Sequence, residues 1–149
     1  MKKRVWKEEG FTLIELMVVI VIIGLLATFI APRLFGRVEE AKIAEAKIQM
    51  RSFENALELF KIDNGFYPST EQGLEALVVR PTTGRVPQKW REGGYLDKGR
   101  VPLDPWGNRY IFLSPGINAP DYEIKSLGPD GSEGGDGENA DIANYNLQK

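Results

Sequence analysis

The sequence contains neither cysteine nor histidine, and these two absences remove most of the usual active-site and metal-site chemistry. Without cysteine the chain has no disulfide to stabilise its fold and no thiol nucleophile. Without histidine it lacks the commonest general base and a usual zinc ligand. Packing of a core, or an ion held by oxygen ligands, must therefore supply the stability that many exported domains of this size obtain from disulfides.

An excess of positive charge is also missing. The chain has 19 Lys and Arg residues against 21 Asp and Glu residues, and its formal net charge is −2. A protein that binds nucleic acid through phosphates carries a basic face, so no nucleic-acid partner is expected. The sequence also contains no Gly-rich phosphate loop and no convincing nucleophile–base pair. We expect that the protein is not an enzyme.

A long apolar run lies near the N-terminus. Within residues 11–30 the only polar side chains are Thr12, Glu15 and Thr28. Twenty helical residues rise about 30 Å, the thickness of the hydrocarbon core of a bilayer. Basic residues precede the run, so the positive-inside rule predicts a cytoplasmic N-terminus and an external C-terminal part. A cleaved secretory signal is disfavoured, because the run is too long and no small-x-small pair closes it.

A helical pattern resumes after Pro32 and ends at Asn64-Gly65. Proline either begins a helix or loosens one from within. We predict one helix of roughly fifty residues. Its helical structure is expected to be interrupted at Pro32 and loosened again at Gly36. Apolar residues at spacings of three and four define the face expected to pack on the core. These residues are Met50, Phe53, Leu57 and Phe60, preceded by a weaker stripe of Val38, Ala41, Ala44 and Ile48.

The second half of the chain predicts shorter elements. A capping-box pair, Ser69 and Gln72, predicts a short helix over residues 69–79. Residues 80–108 are rich in Pro, Gly and Arg and predict a long irregular loop. Strands are expected within 109–114 and 122–127, paired as an antiparallel hairpin. Three aromatic residues of the loop are expected to anchor it on the core: Trp90, Tyr95 and Trp106.

Oxygen-bearing side chains are concentrated near the C-terminus. Calcium prefers six to eight hard oxygen ligands, and the glycines among these residues let the chain fold around an ion. An EF-hand is excluded because Asp replaces the terminal Glu of that motif and no helices flank the segment. The alternative is a flexible acidic surface loop. The residues are Asp130, Ser132, Asp136, Glu138, Asn139 and Asp141.

The N-terminal segment resembles that of type IV prepilins, through a short basic leader ending in Gly10, the residues Phe-Thr-Leu-Ile-Glu at 11–15, and an apolar helix. The resemblance implies that a prepilin peptidase cleaves between Gly10 and Phe11 and methylates the new terminus at Phe11. Glu15 lies one helical turn from that amine, and in a bundle of such helices it is expected to neutralise the Phe11 amine of a neighbour. The alternative is that Glu15 extends to the lipid headgroups.

The soluble part resembles the major pseudopilins of type II secretion systems over nearly its whole length. Three stretches carry the resemblance: ENALELFKIDNGFYPSTEQGLEALV, DPWGNRY and SLGPDGSEGGDGENADI. The resemblance implies a homopolymeric periplasmic filament, assembled with minor pseudopilins by an ATP-driven inner-membrane platform, that pushes folded exoproteins through the outer-membrane secretin.

The same resemblance implies that the C-terminal loop binds calcium. The ligands implied are the side chains of Asp130 and Asp141, the carbonyls of Leu127 and Ser132, and Asn139, with Asp136 and Glu138 as further possibilities.

We therefore predict an α+β fold in which a long N-terminal helix, half transmembrane and half amphipathic, packs on a small antiparallel β-sheet with an irregular calcium-binding C-terminal loop. Residues 1–10 form the leader peptide, 11–31 the transmembrane and polymerisation helix, and 32–149 the periplasmic domain. Phe11, Glu15 and Pro32 are predicted to act in assembly. The alternatives are a type IV pilin or competence pseudopilin subunit and a membrane-anchored monomeric binding module. Type IV pilins usually have a C-terminal loop closed by a disulfide, and this chain has no cysteine.

Overall fold

The computed structural model describes residues 10–147, and for residues 29–35 it describes the backbone alone. The chain divides into two compact units, Met1–Val38 and Glu39–Lys149. Residues 1–9 of the predicted leader lie outside the described residues, and so does the side chain of Pro32.

Helix α1, Leu13–Asn64, is the longest element of the described chain. The prediction of one helix of roughly fifty residues is confirmed, and its backbone is helical through Pro32 and Gly36 without the predicted interruption. Proline removes one backbone donor, but its fixed φ is compatible with a helix, and an interior glycine costs only about 1 kcal/mol. The predicted end is confirmed, because Gly65 follows Asn64 with a left-handed φ of 80° and its N–H bonds the Lys61 carbonyl.

Three short strands form an antiparallel sheet in the order β1-β2-β3. They are β1 (Ile111–Leu113), β2 (Glu123–Ser126) and β3 (Ile142–Ala143). The predicted hairpin of β1 and β2 is confirmed, with Phe112 opposite Ile124. Strand β3 was not predicted. It has two residues and follows a Gly-rich segment, so it carries too few positions to show an alternating pattern.

The main predicted stripe of α1 is confirmed as core. Met50, Phe53, Leu57 and Phe60 are at most 1% exposed, and they form one cluster with residues of the sheet such as Ile124. Phe53 meets the ring of Tyr110 edge-on at 5.0 Å between centroids.

The weaker stripe was predicted wrongly, because Val38 and Ile48 are 46% and 67% exposed. Counting back from Met50 in steps of four and three places Ala46 and Ile43 on the core face instead. Ala46 is buried and Ile43 packs against the core cluster.

The predicted helix over 69–79 is mostly a turn. Its capping box is present, since the Ser69 N–H donates to Gln72 Oε1 at 3.1 Å and the Gln72 N–H donates to Ser69 Oγ at 3.4 Å. Gly73 then takes a φ of 62°, which an α-helix does not allow, so only a short 3₁₀ helix follows, Leu74–Leu77. Two more 3₁₀ turns lie near the C-terminus, Gly137–Asn139 and Asn144–Asn146.

The loop aromatics anchor the irregular segment, as predicted. Trp90, Tyr95 and Trp106 all pack against the core cluster. Trp90 Nε1 donates to the Ala76 carbonyl at 2.9 Å, and Trp106 Nε1 donates to Glu39 Oε2 of α1 at 2.9 Å. The Tyr95 hydroxyl accepts from Asn64 Nδ2 at 3.2 Å. Each of the three half-buried rings therefore has its polar atom hydrogen-bonded while the ring packs on the core.

Candidate functional site

The first turn of α1 is closed by Thr12 and Glu15. Thr12 donates to Glu15 Oε2 from its backbone N–H and from its hydroxyl, both at 3.1 Å, and the Glu15 N–H donates to Thr12 Oγ1 at 3.2 Å. This is a capping box, in which two residues satisfy each other's backbone donors at a helix start. Sequence reasoning missed this role of Glu15, although the Thr-x-x-Glu spacing is its signal.

The apolar residues from Phe11 to Leu26 are exposed on every side of the helix. Exposure is 85% at Phe11, 70% at Ile14, 61% at Leu25 and still 44% at Val19. A continuous apolar surface of this kind marks a protein or membrane contact. Among the described residues, no helix is both long enough and apolar enough to cross a membrane.

The DPWGN segment builds a buried turn before the sheet. Asp104 is 4% exposed, and its Oδ1 accepts the N–H groups of Trp106 and Asn108 at 3.1 and 2.7 Å. Its Oδ2 accepts the Ser126 hydroxyl at 2.6 Å. One carboxylate therefore fixes the turn and ties it to β2. An Asp at the first position of a turn whose fourth residue is Gly is a recognisable signal for this arrangement, and sequence reasoning had named only the turn.

The same network reaches the start of the C-terminal loop, which we define as residues 127–141. Ser126 Oγ accepts the Gly128 N–H at 3.2 Å, and Asn108 Nδ2 donates to the Gly128 carbonyl at 3.0 Å. The backbone N–H and carbonyl of Gly128 are therefore both hydrogen-bonded, and these bonds fix the position at which the loop leaves the sheet.

At the other end of the loop, Asp141 has two unlike carboxylate oxygens. Its Oδ2 accepts the Gly134 N–H at 3.0 Å. Its Oδ1 is buried and has no hydrogen-bond partner. A buried oxygen of an ionised carboxylate without a donor is costly, so this atom is suited to a cation.

The backbone of the loop is folded closely beside Asp141. The Asp141 N–H donates to the Gly134 carbonyl at 3.2 Å. At Gly135 any Cβ would clash with the Asn139 carbonyl oxygen, and φ is 83°, so only glycine fits. Asn139, one of the predicted ligand residues, thus lies where the chain doubles back.

The other predicted ligands lie at the surface of the loop. Asp130 Oδ1 accepts the Ser132 N–H at 3.1 Å, while Asp136 and Glu138 flank or belong to the turn Gly137–Asn139. Within residues 10–147, no three acidic, His or Cys side chains converge as a metal cluster. A shell of two carboxylates completed by carbonyls needs no such convergence.

Lys125 of β2 also faces this loop, and sequence reasoning did not identify it. Its Nζ lies 3.0 Å from Glu133 Oε1 and 3.8 Å from Asp141 Oδ2. The hydrogen bond to Glu133, with the charges of Glu133, Asp141 and Glu123, raises the pKa of Lys125. The unpredicted pairing of β3 with β2 brings Asp141 beside this lysine, so no local pattern signals the contact.

Comparison with known proteins decides the family. The profile described as "Type II secretion system (T2SS), protein G" matches residues 33–145. The chain belongs to this family. A second profile, described as "Prokaryotic N-terminal methylation motif", matches residues 7–31, around Gly10, Phe11 and Glu15. The resemblance that the sequence motifs indicated is confirmed over both parts of the chain.

Curated relatives of the type II secretion protein G family match along nearly their whole length. The type II secretion system core protein G of Vibrio cholerae is 50% identical over 146 residues, which cover 98% of this chain and 97% of the relative. The Pseudomonas aeruginosa protein of the same name is 48% identical over 139 residues, 93% of this chain and 96% of the relative.

A solved structure of this family shares the fold. It is the crystal structure of the major pseudopilin from the type 2 secretion system of enterohaemorrhagic Escherichia coli, with a TM-score of 0.66 and 38% sequence identity. The match covers 76% of this chain and 95% of that one. The predicted long helix with a small antiparallel sheet is confirmed by this similarity.

Proposed function

We propose that the protein is the major structural subunit of a type II secretion pseudopilus. Copies of the chain polymerise into a helical periplasmic filament, whose growth drives folded exoproteins through the outer-membrane secretin. The observation that carries the proposal is the all-round exposure of apolar side chains from Phe11 to Leu26, in a chain of the protein G family. Packing these helices together removes that surface from water, and head-to-tail contacts that do not close produce an open filament.

This role needs no active site in the chain. An ATP-driven inner-membrane platform supplies the energy of assembly, and minor pseudopilins join the filament. The protein contributes an apolar surface that neighbouring subunits cover. It also contributes a globular unit that remains folded as the filament grows.

Processing by a prepilin peptidase precedes assembly in this proposal. Cleavage falls between Gly10 and Phe11, which are both exposed, and Phe11 becomes the methylated terminus. The match of the methylation motif to residues 7–31 supports this step. Removal of the leader leaves Glu15 one helical turn from a new ammonium group.

Glu15 changes partners between the two states. In the uncleaved chain it accepts hydrogen bonds from Thr12, which are bonds between a carboxylate and neutral donors. In the filament the Phe11 ammonium of a neighbouring subunit offers a charged donor, and such bonds are shorter and stronger. Surrounded by apolar helices, the pair fixes the register of one subunit against the next, because leaving either charge alone is penalised.

Before assembly the subunit is held in the inner membrane by residues 11–31, with its N-terminus in the cytoplasm and its C-terminal unit in the periplasm. Support comes from the basic leader and from the exposed apolar side chains of this segment.

The C-terminal loop binds calcium in this proposal. The residues fit the ion, because Asp141 Oδ1 is buried without a donor and the loop folds closely at Gly135, against the Asn139 carbonyl. When bound, calcium neutralises the acidic loop and contributes its binding free energy to folding. The side chains of Asp130 and Asp141, the carbonyls of Leu127 and Ser132, and Asn139 would hold it, with Asp136 or Glu138 as further candidates.

The assembly role is tested by substituting Glu15→Ala in a strain that carries the whole secretion system. We expect normal membrane insertion but a fall in sedimentable filament of at least about tenfold, because an unpaired buried charge costs about 3–5 kcal/mol. Glu92→Ala, at an exposed glutamate of the globular unit, is the matched control and retains the wild-type yield. A normal filament yield from Glu15→Ala contradicts the proposal.

Removal of calcium tests the metal separately. A chelator is expected to lower the thermal midpoint of the wild-type globular unit by several degrees, as loss of about 1–2 kcal/mol does for a domain of this size. Asp141→Asn should lower the midpoint in calcium and make it insensitive to the chelator. A wild-type midpoint that calcium does not move contradicts the proposed site.

A further inference from the structure

Lys125 introduces a positive charge at a place that suits a cation. Only 14% of its side chain is exposed, and its Nζ lies 3.0 Å from Glu133 Oε1 and 3.8 Å from Asp141 Oδ2. The two carboxylates that attract this ammonium differ in exposure. Glu133 is largely exposed to solvent, whereas Asp141 is mostly shielded from it.

Asp141 is shared between this lysine and the proposed ion. Its Oδ2 is occupied by the Gly134 N–H and approached by Lys125, while its Oδ1 is buried and unpartnered. A calcium ion on Oδ1 is therefore within a few ångströms of a fixed ammonium group. Like charges at such a separation repel, and the repulsion is stronger where the groups are partly shielded from water.

We propose that Lys125 is the chain's own counter-ion for the C-terminal loop and that its charge sets the calcium affinity of that loop. In the calcium-free chain the ammonium pairs with Glu133 and Asp141 and keeps the loop closed. Calcium binds against that charge, so its affinity is lower than the same ligands would give beside a neutral residue. The inference rests on the proposed calcium site.

Two effects of removing the charge oppose each other, and their sizes decide the sign. Loss of Lys125 removes the repulsion and also removes the competition for Asp141. Each of these changes tightens calcium binding. It also leaves the free loop less ordered, which weakens binding, but a pair whose carboxylate is largely exposed, such as Lys125–Glu133, contributes little. Since net site charge is a main determinant of calcium affinity, the variant should bind more tightly.

The test is isothermal titration of the calcium-stripped full-length protein, purified in detergent, with calcium chloride. Lys125→Gln is expected to bind calcium at least about threefold more tightly than the wild type, while Lys125→Arg, which keeps the charge, stays within about twofold. Lys42→Gln is the matched control: it removes a partly exposed lysine that pairs with Glu39 at 3.1 Å in α1, and it should leave the affinity unchanged.

A second readout follows the calcium-free loop directly. A glutamate-specific protease should cleave Lys125→Gln at Glu133 and Glu138 faster than the wild type in chelator, and the two proteins equally slowly in excess calcium. If Lys125→Gln does not fold, Lys125→Met replaces it in both measurements, since it keeps the length of the side chain without the charge.

The outcomes separate the two proposals. Asp141→Asn should weaken calcium binding at least about tenfold. If Asp141→Asn has this effect but neutral variants at Lys125 bind calcium no more tightly than the wild type, the role of Lys125 is overturned and the calcium site stands. If the wild type binds no calcium, or Asp141→Asn binds it equally well, the site itself is overturned and the inference with it.

Discussion

Two stretches of α1 differ in the solvent exposure of their apolar side chains. From Leu13 to Leu26 the large apolar residues are 44–78% exposed, whereas Phe53, Leu57 and Phe60 are at most 1% exposed. Both stretches are helical, so local structure does not explain the difference. The first is apolar on every side and the second along one stripe only. A stripe can be covered by the chain's own sheet, but an all-round apolar helix requires other molecules to cover it.

A pair of truncations should separate the two stretches most strongly. Phe53→Ala opens a cavity beside Tyr110 and should lower the free energy of unfolding of the globular unit by about 3–5 kcal/mol. Ile23→Ala, in the exposed stretch, should leave that free energy unchanged within about 0.5 kcal/mol while reducing filament yield. Urea unfolding of the detergent-solubilised protein measures the first quantity and sedimentation the second.

The comparison would be wrong if Ile23→Ala destabilised the globular unit as much as Phe53→Ala. The first stretch would then be part of the folding unit rather than a surface kept for assembly.

A smaller loss of stability is expected when the buried side chain of Asp104 is removed from the globular unit. Asp104→Ala removes the acceptor of three hydrogen bonds, among them the Ser126 hydroxyl, and should lower the free energy of unfolding by about 2–3 kcal/mol. Asp97→Ala, at an exposed aspartate, is the control and should cost less than about 0.5 kcal/mol. Equal urea midpoints for the two variants would show that the Asp104 network does not stabilise the unit.

The smallest expected effect is the loss of stability at acid pH that is due to Glu123. Glu123 is 2% exposed. Burial raises its pKa, but hydrogen bonds from the Asn118 backbone and amide and from the Ile117 N–H outweigh burial, so its pKa is below the ordinary value. Its contribution is present above about pH 4.3 and is lost as the pH falls from there through the lowered pKa.

Glu123→Gln should therefore reduce the loss of stability between neutral and acid pH, measured as the shift of the urea midpoint. Glu92→Gln is the exposed control and should follow the wild type. A Glu123→Gln profile that falls as steeply as the wild type would contradict the assignment.

The sequence was informative where a pattern is local. The helix end at Asn64, the stripe from Met50 to Phe60 and the β1–β2 hairpin follow from spacing and turn residues alone. The N-terminal motif and the three blocks of resemblance led to the right family. The capping box at Thr12 and Glu15 is also local, since its Thr-x-x-Glu spacing is present in the sequence.

The parts that were missed are of two kinds: local patterns that were misread and contacts between distant residues. Ile48 was expected in the core and is exposed, because the core face of the helix continues from Met50 through Ala46 rather than through Ile48. Gly73 ended the predicted helix after one turn through its left-handed φ. Strand β3 and the approach of Lys125 to Asp141 join residues far apart in sequence, so neither leaves a periodic signal.

The most direct test of the account is the intact mass of the membrane-purified protein, measured with and without the prepilin peptidase. The account predicts a chain that begins at Phe11 and carries one added methyl group when the peptidase is present, and an uncut chain when it is absent. An uncut chain in both strains would leave Glu15 without its amine partner, and a chain cut after residue 31 would lack Glu15 and the exposed apolar stretch. Either result would contradict assembly through the exposed helix.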